Sequence, residues 1–162
     1  VGARCLRLAR PVEALPKGVV PVASIACAAR FLSENPGRAL LTTGSKELAP
    51  YTSVADFAER FFVRVLPLPG AITKCIDAGF SPSHVIGMQG PFTRELNEAM
   101  LRQVGAQWLV TKDSGTVGGT AEKLAAARDV GARCIVVTRP AEGSGALSLR
   151  EVEDALLREF AR

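Results

Sequence analysis

The order of apolar and polar positions after residue 23 divides the chain into two recurring kinds of segment. Short apolar runs predict strands at "RALLTT", "FFVRVLP", "HVIGMQ", "QWLVTK" and "RCIVVT". Runs with apolar residues at helical spacing lie among them: "SIACAARFLSEN", "YTSVADFAER", "AITKCIDAG", "TRELNEAMLRQVG" and "TAEKLAAARDVG". "SLREVEDALLREFAR" closes the chain as a further helix. Strands that are apolar on both faces, separated by amphipathic helices, indicate a parallel sheet covered on both sides. The expected fold is α/β: a three-layer Rossmann-like or flavodoxin-like sandwich with helices on both faces. Gly79, Gly105 and Gly131 follow helical runs and fit C-terminal caps.

The first residues repeat a later stretch. "VGARCLRLARPVE" opens the chain at Val1 and "VGARCIVVTRPAE" recurs at Val130. Strand–turn signals are short, and chance is the competing explanation. Duplication gives a sharper reading. Residues 1–22 are then the last strand of a missing N-terminal lobe plus a proline-rich linker, Pro11 to Pro21. Residues 23–162 are a C-terminal Rossmann-like lobe. The lack of an initiator methionine agrees with this expectation.

Composition narrows the function classes. A length of 162 residues, nearly half of them apolar, is enough for a sizeable core. The net charge of +4 is a mild excess, and the basic residues are scattered without interleaved aromatics. That pattern argues for a solvated surface plus an anion site, and against nucleic acid. No apolar run approaches the ~18 residues of a membrane span and no leader opens the chain. Cytoplasm and no membrane partner are the expectation. Cys5, Cys27, Cys75 and Cys134 form no CxxC motif and only one histidine exists, so no metal site is expected.

In parallel α/β sheets ligands bind where strand ends lead into helices. The corresponding connections are "TTGSKELAPYTS", "MQGPFTRE", "TKDSGTVGGT" and "TRPAEGSGA", all polar and all bearing glycine or proline. "FFVRVLPLPG" differs in being mostly apolar, with Arg64 inside it. Phosphate suits such loops. Glycine lets backbone N–H groups approach, and a helix start offers unpaired N–H groups and partial positive charge. Lys46 and Lys112 offer charge; Thr43, Ser45, Thr111 and Ser114 offer hydroxyls; Thr120 fits an N-cap before "AEKLAAA". "SGTVGGT" matches neither the Walker A pattern nor GxGxxG, and a tight turn is its plain alternative. Gln89, Gly90, Pro91 and Phe92 form a rigid turn able to set an amide beside a ligand; the plain alternative is a helix start. His84 reads as a surface turn, Trp108 and Met88 as core, and Asp113 as a loop-holding side chain or a proton donor.

Several of these segments resemble a known family. "LLTTGSKEL", "FFVRVLP", "GMQGPFTRELNEAML" and "LVTKDSGTVGGTAEKLAAARDVGARCIVVTRP" are similar to the C-terminal portion of the precorrin-6A reductases, including the cobalt-precorrin-6A form. "CLRLARP" resembles the family's mid-chain junction. The resemblance implies two Rossmann-like lobes with ligands between them, and NADPH-dependent reduction of a macrocycle double bond in cobalamin biosynthesis, without metal or flavin. The family's N-terminal lobe opens with a "GGTxEAR"-like segment that this sequence lacks. The partners implied are a tetrapyrrole substrate and the missing N-terminal lobe. On this resemblance the cofactor set is Thr43, Gly44, Ser45 and Lys46 with Lys112, Asp113, Ser114, Gly115, Gly118, Gly119 and Thr120. The substrate set is Gln89, Gly90, Pro91 and Phe92 with Arg64 and Arg94. No catalytic acid or base is assigned. The alternatives are a uroporphyrinogen-synthase-like tetrapyrrole lyase lobe, which would bind no nucleotide, and a non-catalytic flavodoxin-like binding module. A receiver-type module would want clustered acids at the strand ends, where this chain carries Lys46 and Lys112.

Overall fold

The computed structural model describes residues 6–8, 14–114, 119–139 and 146–160. Two units are distinguished, Leu15–Thr138 and a smaller one made from Val1–Ala14 with Arg139–Arg162. In the smaller unit a two-residue strand, β1 (Arg7–Leu8), runs parallel to another that closes the strand series below. The larger unit begins with β2 (Val19–Val22), α1 (Ile25–Glu34), β3 (Ala39–Leu41), α2 (Ala49–Thr52) and α3 (Phe57–Arg60). It continues with β4 (Phe61–Val65), α4 (Pro69–Asp77), β5 (Val85–Gly87), α5 (Arg94–Gln103), β6 (Trp108–Lys112), α6 (Thr120–Asp129) and β7 (Arg133–Val137). β8 (Ala146–Leu147), the partner of β1, and α7 (Leu149–Phe160) belong to the smaller unit. There Ser148 and Glu151 form a reciprocal cap at the start of α7, the Ser148 backbone N–H and hydroxyl both donating to Glu151 Oε2 at 2.7 Å.

The larger unit is a six-stranded, all-parallel sheet in the order β2-β7-β6-β3-β4-β5. From β3 the chain steps outward through β4 to β5, then returns to β6 on the other side of β3 and proceeds to β7. The direction in which strands are added across the sheet therefore reverses between β3 and β6, while all strands stay parallel. That is the Rossmann arrangement rather than the flavodoxin one.

Strand side chains alternate between faces, and both faces are buried. Leu41, Val63, Trp108 and Ile135 pack against α1 and the Tyr51 and Cys75 side chains. Leu40, Leu109 and Cys134 face the other way, onto Met100 and Leu101 of α5 and Ala126 and Ala127 of α6. Trp108 anchors the first face: Phe31 meets its ring edge-on at 5.3 Å, and its indole N–H donates to Pro36 O at 3.3 Å. Ser24 caps α1 and Thr93 caps α5 through their hydroxyls.

Every strand and helix expected between residues 24 and 138 is present, and three details along the chain differ from expectation. Val19–Val22 is an edge strand paired to β7, not linker; an edge position tolerates the missing N–H of Pro21. "YTSVADFAER" is two short helices, because Asp56 takes a left-handed φ of 58° and stops one helix before the next begins. Gly119, not Thr120, is the N-cap of α6, at φ 62°. The "VGARC" opening, Val1–Cys5, lies outside the described residues. No helix is long and apolar enough to cross a membrane among the described residues.

Leu109 sits fully buried in a central strand. Leu109→Ala is expected to cost about 2–5 kcal/mol. Urea titration should show a lower midpoint with an unchanged slope.

Candidate functional site

At the carboxyl ends of the strands the larger unit forms a cleft of about 370 Å³. Thr42 and Gly44 follow β3, and Arg64, Val65 and Leu66 end β4. Met88, Gly90, Pro91 and Phe92 follow β5, while Gly119 and Lys123 come from the start of α6. The cleft thus straddles the β3/β6 reversal, where open α/β sheets bind ligands. The start of α6, with its first amides unpaired within the helix, adds a partial positive end.

Two cations are buried here, Arg64 at 6 % exposure and Lys123 at 8 %. Arg64 projects from β4 toward α5. Its Nη1 donates to Asn97 Oδ1 at 2.9 Å and lies 3.6 Å from Met100 Sδ, while the Phe92 ring covers the guanidinium at 4.0 Å. Among the described residues no carboxylate pairs with it, and burial alone pulls its pKa down to about 10. Lys123 Nζ donates to Thr111 Oγ1 at 3.3 Å. Burial first, and then the neighbouring Arg64 charge, lower its pKa to about 8. Two like charges held out of water and near each other have the electrostatics of an anion site.

The residues expected from sequence distribute unevenly. Gly44, Arg64, Gly90, Pro91, Phe92 and Gly119 are brought together around the cleft. Gly90, joined to Pro91 by a cis peptide, is closely overlain; a Cβ there would meet the Phe92 ring at 3.0 Å. Thr43 is buried and shares a 3.4 Å hydrogen bond with the Tyr51 hydroxyl, facing away into the core. Ser45 is half-buried, and Lys46 and Gln89 are exposed. Lys112 is paired with Glu47 at 3.1 Å, and Arg94 with Asp129 and Glu98. Ser114 and Thr120 are tied together, the Ser114 backbone N–H donating to Thr120 Oγ1 at 3.2 Å. The Asp113 backbone N–H donates to Val137 O. Gly115 and Gly118 lie outside the described residues.

Thr42, Lys123 and Asn97 are the residues sequence reading missed, while Met88, expected in the core, packs against the second core cluster and also lines the cleft. Lys123 carried a signal. The buried stripe of α6 is Thr120, Lys123, Ala126 and Ala127, so a lysine occupies a core-facing position. His84 behaves as a turn residue, its Nδ1 3.2 Å from Phe61 O and its ring stacked on Phe62. Among the described residues no group of three or more His, Cys, Asp or Glu side chains could hold a metal ion.

Comparison with known proteins gives the chain its relatives. It is 39 % identical over 140 residues to a cobalt-precorrin-6A reductase of Methanothermobacter thermautotrophicus, covering 83 % of this chain and 45 % of that protein. It is 36 % identical over 138 residues to the cobalt-precorrin-6A reductase of Priestia megaterium, covering 82 % and 53 %. The precorrin-6A reductase of Rhodobacter capsulatus is 28 % identical over 120 residues, covering 74 % and 45 %. The chain thus spans about half the length of the curated relatives it matches. A solved structure described as CobK precorrin-6A reductase has the same fold, with a TM-score of 0.72 at 24 % identity over 96 % of this chain and 62 % of that one. The sequence model of the family described as precorrin-6x reductase CbiJ/CobK matches residues 1–157, and the chain belongs to that family.

Proposed function

We propose that this chain is the C-terminal, ligand-holding lobe of an enzyme that uses NADPH to reduce a ring double bond of precorrin-6A, or of its cobalt form, in cobalamin biosynthesis. Family membership and the names of the relatives support the reaction class. The observation that carries the assignment of the site is the pair of buried cations, Arg64 and Lys123, at the carboxyl edge of the sheet. Both ligands of such a reaction are polyanions: the dinucleotide through its phosphates, the macrocycle through its carboxylates. A second lobe, in the half of the relatives' length that this chain does not span, is read as the partner that completes the enzyme.

The donor set fits both ligands. Gly44, Gly119 and the start of α6 would hold a phosphate of the dinucleotide, since glycine admits close approach and the helix end favours negative charge. Arg64 lines the same cleft and would face both that phosphate and, with the Gly90–Phe92 loop, a carboxylate of the macrocycle, whose apolar ring Leu66, Met88 and Phe92 would wall. NADPH supplies the hydride when bound. The chain's own work is to neutralise, orient and keep water from the two ligands, so that the reacting atoms meet in one geometry. Lys123 is the group most able to exchange a proton near neutral pH here.

Calorimetric titration with NADPH tests the site. Arg64→Met and Lys123→Met should each weaken binding about tenfold or more, equivalent to about 1.4 kcal/mol. Lys46→Ala, at an exposed position, should change it less than about twofold. Equal affinity in all three variants removes the cleft from the cofactor site. Retained tetrapyrrole binding with no nucleotide binding at all would instead favour the lyase-like reading.

The pH dependence has a definite sign. An anion favours protonated Lys123, so affinity should fall as pH rises through about 8, and Lys123→Met should flatten that fall. Stability moves the other way. The folded pKa of Lys123 lies below its ordinary 10.5, so between about pH 8 and 10.5 the unfolded chain binds more protons and folding strengthens as pH rises. At neutral pH the buried charge opposes folding, and Lys123→Met is expected to raise the thermal midpoint, by on the order of 1–3 kcal/mol of stability. A lowered midpoint in scanning calorimetry would show that the lysine is there for structure.

A further inference from the structure

Asn97 stands behind the cleft rather than in it. It lies on α5, 2 % exposed, and makes three hydrogen bonds. Its Oδ1 accepts from Arg64 Nη1 at 2.9 Å. Its Nδ2 donates to Thr93 O at 2.8 Å and to Phe92 O at 3.4 Å. One side chain therefore joins the buried guanidinium to the loop whose Phe92 ring lies over it. Hydrogen bonding to Asn97 and the contact with Met100 both fall on Nη1, so among the described residues Nε and Nη2 have no hydrogen-bond partner. Among the described residues no buried side-chain nitrogen or oxygen lacks a partner, so these two nitrogens are open to the cleft that Arg64 lines.

The chemistry of the amide is the decisive point. A carboxylate at this position would hold Arg64 more strongly but would cancel its charge. An amide accepts the same hydrogen bond and leaves the full positive charge for a ligand. Resting on the reading that this cleft takes anionic groups, we propose that Asn97 is its positioning residue: it aims the Arg64 guanidinium at a bound phosphate or carboxylate without neutralising it, and couples that aim to the Gly90–Phe92 loop. A purely structural Asn97 would only satisfy the Phe92 and Thr93 carbonyls at the start of α5.

The test titrates the protein with inorganic pyrophosphate by calorimetry, using wild type, Asn97→Asp, Asn97→Ala and Arg64→Met, with thermal midpoints measured alongside. Asn97→Asp should weaken pyrophosphate about tenfold or more and remove much of the salt dependence of binding, because the new carboxylate occupies Arg64. Asn97→Ala should weaken it severalfold while keeping the salt dependence, because the charge persists but is no longer held. Equal losses in the two variants that track their losses of thermal midpoint would overturn the proposal, as would unchanged binding in Asn97→Asp while Arg64→Met abolishes it. If Arg64→Met and Lys123→Met both bind pyrophosphate like wild type, the reading of the cleft itself fails, a separate outcome. Should the Asn97 variants not fold, side-chain nitrogen NMR of the wild type decides. Two resolved Arg64 Nη signals before ligand addition, assigned by their loss in Arg64→Lys and shifting with pyrophosphate, support the proposal; one averaged signal overturns it.

Discussion

The structure is organised around an electrostatic cost: two cations buried side by side at one edge of a parallel sheet. Arg64 occupies a strand whose neighbours on both sides are fully apolar, and Lys123 occupies the core-facing stripe of α6. Burial disfavours the charged form of both, and the Arg64 charge adds to that effect at Lys123. A core built for stability would place leucine or methionine at both positions. Under the proposed function an anion in the cleft would offset that cost.

The two faces of the sheet divide the labour that makes this tolerable. The face against α1 is sealed by large rings and branched chains, with Trp108, Tyr51 and Phe61 wholly buried. The face against α5 and α6 is different. Ala126, Ala127 and Ala132 let α6 come close to the strands, and Arg64, Thr111 and Asn97 form a polar seam where that packing ends. Both cations belong to this second face, so the polar seam opens toward the carboxyl edge without breaching the larger core. The reversal in the direction of strand addition between β3 and β6 then spreads the loops apart at that edge and leaves room for a ligand.

How much of this was legible in sequence varied with the physics behind each feature. Strands buried on both faces announce themselves as continuous apolar runs, and β3, β4, β6 and β7 were readable that way; β5, half-buried at the sheet's edge, was still apolar enough to read. β2 was not, because Pro21 speaks against a strand unless the strand lies at an edge, and edge status is a property of the assembled sheet. The opposite error affected the lysines. Lys46 and Lys112 stood out because they lie in polar loops, yet such loops also offer water and carboxylates, and Lys112 rests against Glu47. Lys123 was hidden in a helix, where a lysine ordinarily faces solvent; only its phase relative to Ala126 and Ala127 marks it as buried. Arg64 was visible because an arginine inside "FFVRVLP" has no solvent-facing side to occupy.

The resemblance assigned glycine-bearing loops to a cofactor and the "MQGPF" turn to a substrate. Gly44 and Gly119 share one cleft with Gly90, Pro91 and Phe92. Under the proposed function that convergence has a chemical reason. Hydride transfer requires the donor and acceptor rings within roughly 3–3.5 Å of each other at the reacting atoms, which separate pockets could not arrange. The anionic ends of two ligands, however, repel one another when brought so close. Under that reading Arg64 and Lys123, both lining the cleft, would reduce this repulsion. The neutral amide of Asn97 is then the natural support, since any carboxylate in its place would restore the repulsion that Arg64 is positioned to relieve.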